Sequence, residues 1–104
     1  MKAAYIEQPG AADVLRVGEF EKPQAGAGQV LVRVTHSTVN PIDTYLRAGM
    51  IPARLPSPFI VGCDFAGTVE TVGPGVTRFR TGDRVWGSNQ GLLWRQGATA
   101  EYIA

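Results

Sequence analysis

The sequence is poor in the groups that most often carry catalysis. It has one cysteine, Cys63, and one histidine, His36, in 104 residues. A lone cysteine excludes an intrachain disulfide framework and fits a reducing compartment, so the expected location is the cytoplasm. Ten basic residues against nine acidic ones leave a net charge of +1. That balance creates no general attraction to nucleic acid or an anionic membrane, and neither is expected as a partner. No apolar run approaches the ~20 residues of a membrane-spanning helix. The opening Met1-Lys2-Ala3-Ala4-Tyr5-Ile6-Glu7 reaches an acidic residue too soon for a signal peptide. Walker A, G-x-S-x-G and Cys-x-x-Cys motifs are all missing. Gly73-Pro74-Gly75 is followed by Arg78 where the third glycine of a G-x-G-x-x-G fingerprint would fall. The chain therefore lacks a segment that grips a nucleotide pyrophosphate.

What is abundant is punctuation. Thirteen glycines and seven prolines exceed the ~12% that these two residues average, and they are spread along the chain rather than pooled in a linker. Short strands separated by such turns predict a mainly β domain, a small sandwich or barrel. Strands are expected over 1–6, 14–20, 59–61, 68–72, 84–86 and 99–103. The clearest is Gln29 to His36, with Val30, Val32 and Val34 on one face and a half-buried face of Leu31, Arg33 and Thr35. Residues 50–58 contain three prolines and cannot be regular. The sequence stops inside its last expected strand, which suggests the front part of a longer protein.

One helix is expected, from Pro41 to Ala48. Asn40 is a favoured N-cap, Pro41 suits the first helical position, Asp43 places negative charge in the first turn, and Gly49 is a ready stop. Ile42, Tyr45 and Leu46 lie at spacings of three and four and predict its apolar stripe.

The segments V-N-P-I-D-T-Y-L-R-A-G (39–49), G-C-D-F-A-G-T-V (62–69), V-G-P-G-V (72–76), F-R-T-G-D-R-V (79–85) and G-A-T-A-E-Y (97–102) together resemble the medium-chain dehydrogenase/reductases. More narrowly, they look like the N-terminal, GroES-like (alcohol dehydrogenase-like) catalytic domain of the zinc-independent quinone oxidoreductase branch. The resemblance covers nearly the whole chain, with the loops at 22–28 and 87–97 matching only in character. It implies a partly open β-barrel with one or two short helices over 1–104, followed in the full enzyme by a Rossmann domain that is absent here. It also implies hydride transfer from NADPH to a quinone or activated carbonyl in a homodimer, with the isolated fragment inactive.

Zinc-dependent relatives place a cysteine shortly before an aspartate in the helical segment, and a His-Glu pair in the following glycine-bounded run. The corresponding positions here are Asn40, with Asp43 three residues on, and Cys63-Asp64. A catalytic zinc needs three ligands from His, Cys or carboxylate, and asparagine is a weak one, so no metal is expected. Without a Lewis acid the substrate carbonyl must be polarised by hydrogen bonds. By the resemblance, Asn40 and Tyr45 face the cleft near the nicotinamide and substrate, as catalytic and cofactor-binding residues, and the Tyr45 hydroxyl can donate. Read from the sequence alone, Asn40 is also a plain helix cap, Tyr45 a core-facing aromatic, Asp43 a first-turn acid and Cys63 a small buried hydrophobe. His36 reads as a structural or surface residue, and Arg78, Arg80 and Arg84 as solvated turn charges. Two other functions stay open: a stand-alone, co-chaperone-like binding module, which would need an apolar-tipped loop at 50–58 or 87–97, and an enoyl reductase of the same superfamily.

Overall fold

The computed structural model describes residues 1–52 and 54–104. Strand β1 (Lys2–Ile6) buries Ala3 and Ile6 and pairs antiparallel with β2 (Arg16–Glu19) on one side and β4 (Phe59–Ile60) on the other. A second antiparallel sheet has the order β6-β5-β3-β7, formed by β3 (Val30–Ser37), β5 (Phe65–Val72), β6 (Arg84–Gly87) and β7 (Tyr102–Ile103). The fold is mainly β, with one α-helix, a 3₁₀ turn at Ala12–Val14 and no closed barrel among the described residues. No helix among them is long and apolar enough to cross a membrane.

The segment 97–103 joins the sheets. Gly97 N–H donates to the Ile60 carbonyl at 2.7 Å and Ala4 N–H to that of Thr99 at 2.9 Å. Val34 N–H then donates to the Glu101 carbonyl at 2.9 Å. Val32, Ala98 and Ile103 form a buried cluster where the segment crosses. This crossing explains why the strand expected over 99–103 is split: Ala100 bridges to Ala3 of one sheet, and only Tyr102–Ile103 pairs with β3 of the other.

Strand β5 begins at Phe65, three residues before the alternating run that predicts it. Gly67 lies opposite Val34, where a Cβ would run into the Arg33 carbonyl oxygen. Only glycine lets the two backbones lie so close. The strand expected over 14–20 is shortened to Arg16–Glu19 by the 3₁₀ turn before it. Apart from Ala53, which lies outside the described residues, the 50–58 segment has no regular structure.

Helix α1 (Pro41–Ala48) has the expected bounds and stops at Gly49, at φ 77°. Its buried face is a correction to the expected stripe. Asp43 and Leu46, three apart, face inward, whereas Tyr45 is 44% exposed. Neighbouring helix positions diverge by about 100°, so burying Leu46 with Asp43 turns Tyr45 outward.

Candidate active site at the start of helix α1

Three segments converge at the helix N-terminus: the turn from β3 through Thr38 to Asn40, the Gly62-Cys63-Asp64 run between β4 and β5, and the loop that leaves β6 at Ser88. Asn40 occupies the N-cap position with extended backbone, φ −115° and ψ 161°. The Asp43 carboxylate reaches back to accept from Asn40 N–H at 2.7 Å, while Asp43 N–H bonds the Asn40 carbonyl at 3.0 Å. Together Asn40 and Asp43 form a capping box. The Asn40 Nδ2 donates to Asp64 Oδ2 at 2.7 Å and to Thr38 Oγ1 at 3.2 Å. Ser88 Oγ donates to the other Asp64 oxygen at 2.6 Å.

An ionised carboxylate only accepts, so Asp64 sets the orientation of the amide. Both Nδ2 hydrogens are then committed, and Asn40 can meet a ligand only as an acceptor, through Oδ1. Reading Asn40 as a cap-type residue finds its position but not its partner 24 residues away.

Cys63 is 3% exposed. Its thiol is pushed from an ordinary value of 9.0 up to about 12, first by loss of water, then by a hydrogen bond to Asp43 and the charges of Asp43 and Asp64. Asp43 is itself buried, and its Oδ1 has no partner in full hydrogen-bonding geometry; the Cys63 S–H, a weak donor, is the group placed to serve it. In the unfolded chain the thiol ionises from about pH 9, whereas the folded chain holds it protonated to about pH 12. The resulting stabilisation is complete below pH 9 and is lost as pH rises toward 12, at up to about 1.4 kcal/mol per pH unit. Cys63→Ala should flatten the stability curve over this range in urea unfolding; parallel curves for the two proteins would contradict the assignment.

Gly62 holds this run in place. It sits at φ 104°, and a Cβ there would lie 3.0 Å from the Thr99 backbone nitrogen. Gly62→Ala is expected to destabilise by about 1–3 kcal/mol, since strain and a backbone clash coincide. An unchanged urea midpoint would contradict that.

The donor set does not fit a catalytic zinc. Among the described residues no three His, Cys, Asp or Glu side chains lie grouped to hold a metal ion. Cys63 would have to lose its proton beside two carboxylates, and Asn40 presents only an amide oxygen.

Tyr45 points outward, so it is not the core-facing aromatic that the spacing also allows. It stands five positions after Asn40, about 140° around the helix and about 7.5 Å along it, and no hydrogen bond joins the two among the described residues. A ligand that touches both must span that offset. His36, exposed at the end of β3, has its Nδ1 3.1 Å from Thr35 Oγ1. Arg78, Arg80 and Arg84 are exposed around the turn before β6. Thr38 and Ser88 are site residues that the sequence did not single out. Ser88 was within reach of a register argument: β5 and β6 pair Phe65 with Gly87, and one step further sets Asp64 opposite Ser88.

The chain belongs to the alcohol dehydrogenase GroES-like domain family, which it matches over residues 26–104, among the medium-chain dehydrogenase/reductases. An alcohol dehydrogenase superfamily protein from Novosphingobium aromaticivorans is 44% identical with a TM-score of 0.87, over 99% of this chain and 31% of that one. Escherichia coli quinone oxidoreductase, solved complexed with NADPH, is 32% identical with a TM-score of 0.81, over 88% of this chain and 28% of its own. The rat quinone oxidoreductase is 37% identical over 87 residues, 83% of this chain and 26% of the relative. The chain thus spans less than a third of the length of these relatives.

Proposed function

We propose that these 104 residues are the catalytic-domain part of an NADPH-dependent reductase that transfers hydride to a quinone or activated carbonyl without zinc. The observation that carries the reading is the commitment of Asn40. Where zinc-dependent relatives carry a sulfur ligand, this chain has an amide whose nitrogen is tied to Asp64 and Thr38, beside a thiol held firmly protonated. Such a site can orient and polarise but is unsuited to ligating a metal.

A nicotinamide cofactor supplies the hydride when bound; a nucleotide-binding domain beyond these residues would hold it, and the complete enzyme is read as a homodimer. This chain's own part is to position and to stabilise charge. The exposed Tyr45 hydroxyl donates to the substrate oxygen on which negative charge builds, and solvent replaces any proton it gives up. Asn40 Oδ1 accepts from an N–H or O–H of the bound cofactor or substrate, while Thr38, Asp64 and Ser88 keep it from rotating.

The test uses the full-length protein containing this chain. Oxidation of NADPH by 1,4-benzoquinone or an enone is expected, with no reduction of NADP⁺ by simple alcohols; faster turnover of alcohols would overturn the reading. A crotonyl thioester as acceptor separates an enoyl reductase from a quinone reductase. A stand-alone binding module is favoured by one observation, the exposed Leu93 and Trp94 in the 87–97 loop. Full-length protein that binds a protein partner and oxidises no NADPH would support it.

A further inference from the structure

We infer that the solvent face of the β6-β5-β3-β7 sheet carries a binding site for a phosphate oxyanion, held by Arg33 and Arg84 on either side of Thr68. The inference does not rest on the reductase reading. Antiparallel register sets Arg33 opposite Thr68, and Thr68 opposite Arg84. Residues directly opposite each other share a face of the sheet, so the three side chains stand in one row across neighbouring strands. That face points to solvent, because the alternate positions fill the core: Val32 is buried, Val34 and Val85 pack against it, and Val69 is buried as well. Both arginines are exposed, and Thr68 is half-buried.

Positive charge is left uncompensated on this row. Glu70, two positions from Thr68 on β5, is engaged by Lys22 Nζ at 2.6 Å. Lys22 also lies over the ring of Tyr102 at 4.1 Å, the residue opposite Arg33 on its other side. Asp83, next to Arg84 in sequence, accepts from Arg80 N–H at 2.9 Å. No salt bridge holds Arg33 or Arg84 among the described residues. Neighbouring strands lie about 4.8 Å apart, so the two arginine Cα atoms stand about 10 Å from each other. Side chains of that length can close from both sides on one anion above Thr68. A guanidinium presents a planar fork of donors that matches phosphate oxygens, and the Thr68 hydroxyl adds a donor from a third direction. Two positive charges match a phosphate dianion, whereas a carboxylate, with one charge and two oxygens, uses less of the set. Arg78 and Arg80, in the turn before β6, fall outside the row. Ser88 lies four residues beyond Arg84, about 13 Å along the chain, so this site is separate from the one around Asn40.

The test is isothermal titration calorimetry of the full-length protein containing this chain, at low chloride and with NADPH present so that contacts to the cofactor's own phosphates are already filled. Inorganic phosphate and glycerol 2-phosphate are the two probes. Saturable binding is expected, and the tighter probe tells whether the free ion or a phosphate monoester is the occupant. Arg33→Gln and Arg84→Gln should each weaken binding about tenfold, the scale of one lost charge-assisted contact. Arg84→Lys should recover part of the loss, and Thr68→Val should weaken binding only about threefold. Arg80→Gln is the control and should leave the affinity unchanged. Neither arginine is buried, so urea midpoints should match the parent, which separates lost binding from lost fold. Failure of both probes to bind saturably would overturn the inference. So would an Arg80→Gln effect equal to that of Arg84→Gln, since the row would then act only as diffuse surface charge. Phosphate-free NADPH oxidation by Arg84→Gln should match the parent, so a failed titration leaves the reductase reading intact, and a protein without NADPH turnover that binds phosphate leaves this site intact.

Discussion

Tyr45→Phe is expected to lower kcat of the full-length protein toward quinones about a hundredfold, with little change in the KM for NADPH. Removing one donor from a developing oxyanion costs ~10²–10³ in rate where water is excluded. The lower end applies because Tyr45 is 44% exposed here, so water competes for the same oxygen unless the rest of the enzyme covers it. Phenylalanine keeps the ring and its packing, so stability should hardly change. That separates the two roles the sequence leaves open. If the hydroxyl does no chemistry, the variant should match the parent in rate as well as in stability. The measurement is steady-state NADPH oxidation beside a urea unfolding curve for each protein.

Asn40→Asp should have the largest effect on the site's architecture. It replaces an amide that donates to Asp64 at 2.7 Å with a carboxylate that can only accept. An attractive bond becomes a like-charge contact in a half-buried setting. A loss of about 2–4 kcal/mol of stability is expected near pH 8, together with loss of activity. Two carboxylates this close cannot both ionise easily, so one titrates above its unfolded value. The sign follows: the variant regains stability as pH falls through that raised value and loses it again as pH rises. Unfolding curves for both proteins at pH 8 and pH 5 check this. A gap that does not narrow at the lower pH would mean that the Asn40–Asp64 contact is not formed in solution.

The helix was the most legible part of the molecule, because its signals are local. Asn40-Pro41, Asp43 and Gly49 mark both ends, and backbone geometry alone enforces them. β3 was similarly readable from Val30, Val32 and Val34. The start of β5 was hidden because Phe65-Ala66-Gly67 carries no alternation; its place depends on how closely Gly67 meets the Arg33 carbonyl in another strand. Burial on α1 was misread for a related reason. Asp43 takes an inward position that periodicity assigns to an apolar residue, and it can do so because the Asn40 N–H and the Cys63 thiol lie beside it. At the candidate site, the residue types at 40, 43, 63 and 64 belong to side chains that the structure brings together, while Tyr45 stands apart from them. That Asn40 is an acceptor only and that Ser88 completes the Asp64 network are set by tertiary contacts between distant segments, whereas Leu93 and Trp94 stand outward on a left-handed stretch of backbone that composition and periodicity do not signal.

We propose that a protein with this site reduces its substrate with hydride from NADPH, while hydrogen bonds rather than a metal polarise the substrate oxygen. The most direct measurement is NADPH oxidation by the full-length protein in the presence of a quinone, before and after exhaustive treatment with a chelator, with metal content determined on the same samples. An unchanged rate and no stoichiometric zinc are expected, with Tyr45→Phe slow under both conditions. Activity that disappears on chelation and returns when zinc is added would contradict it.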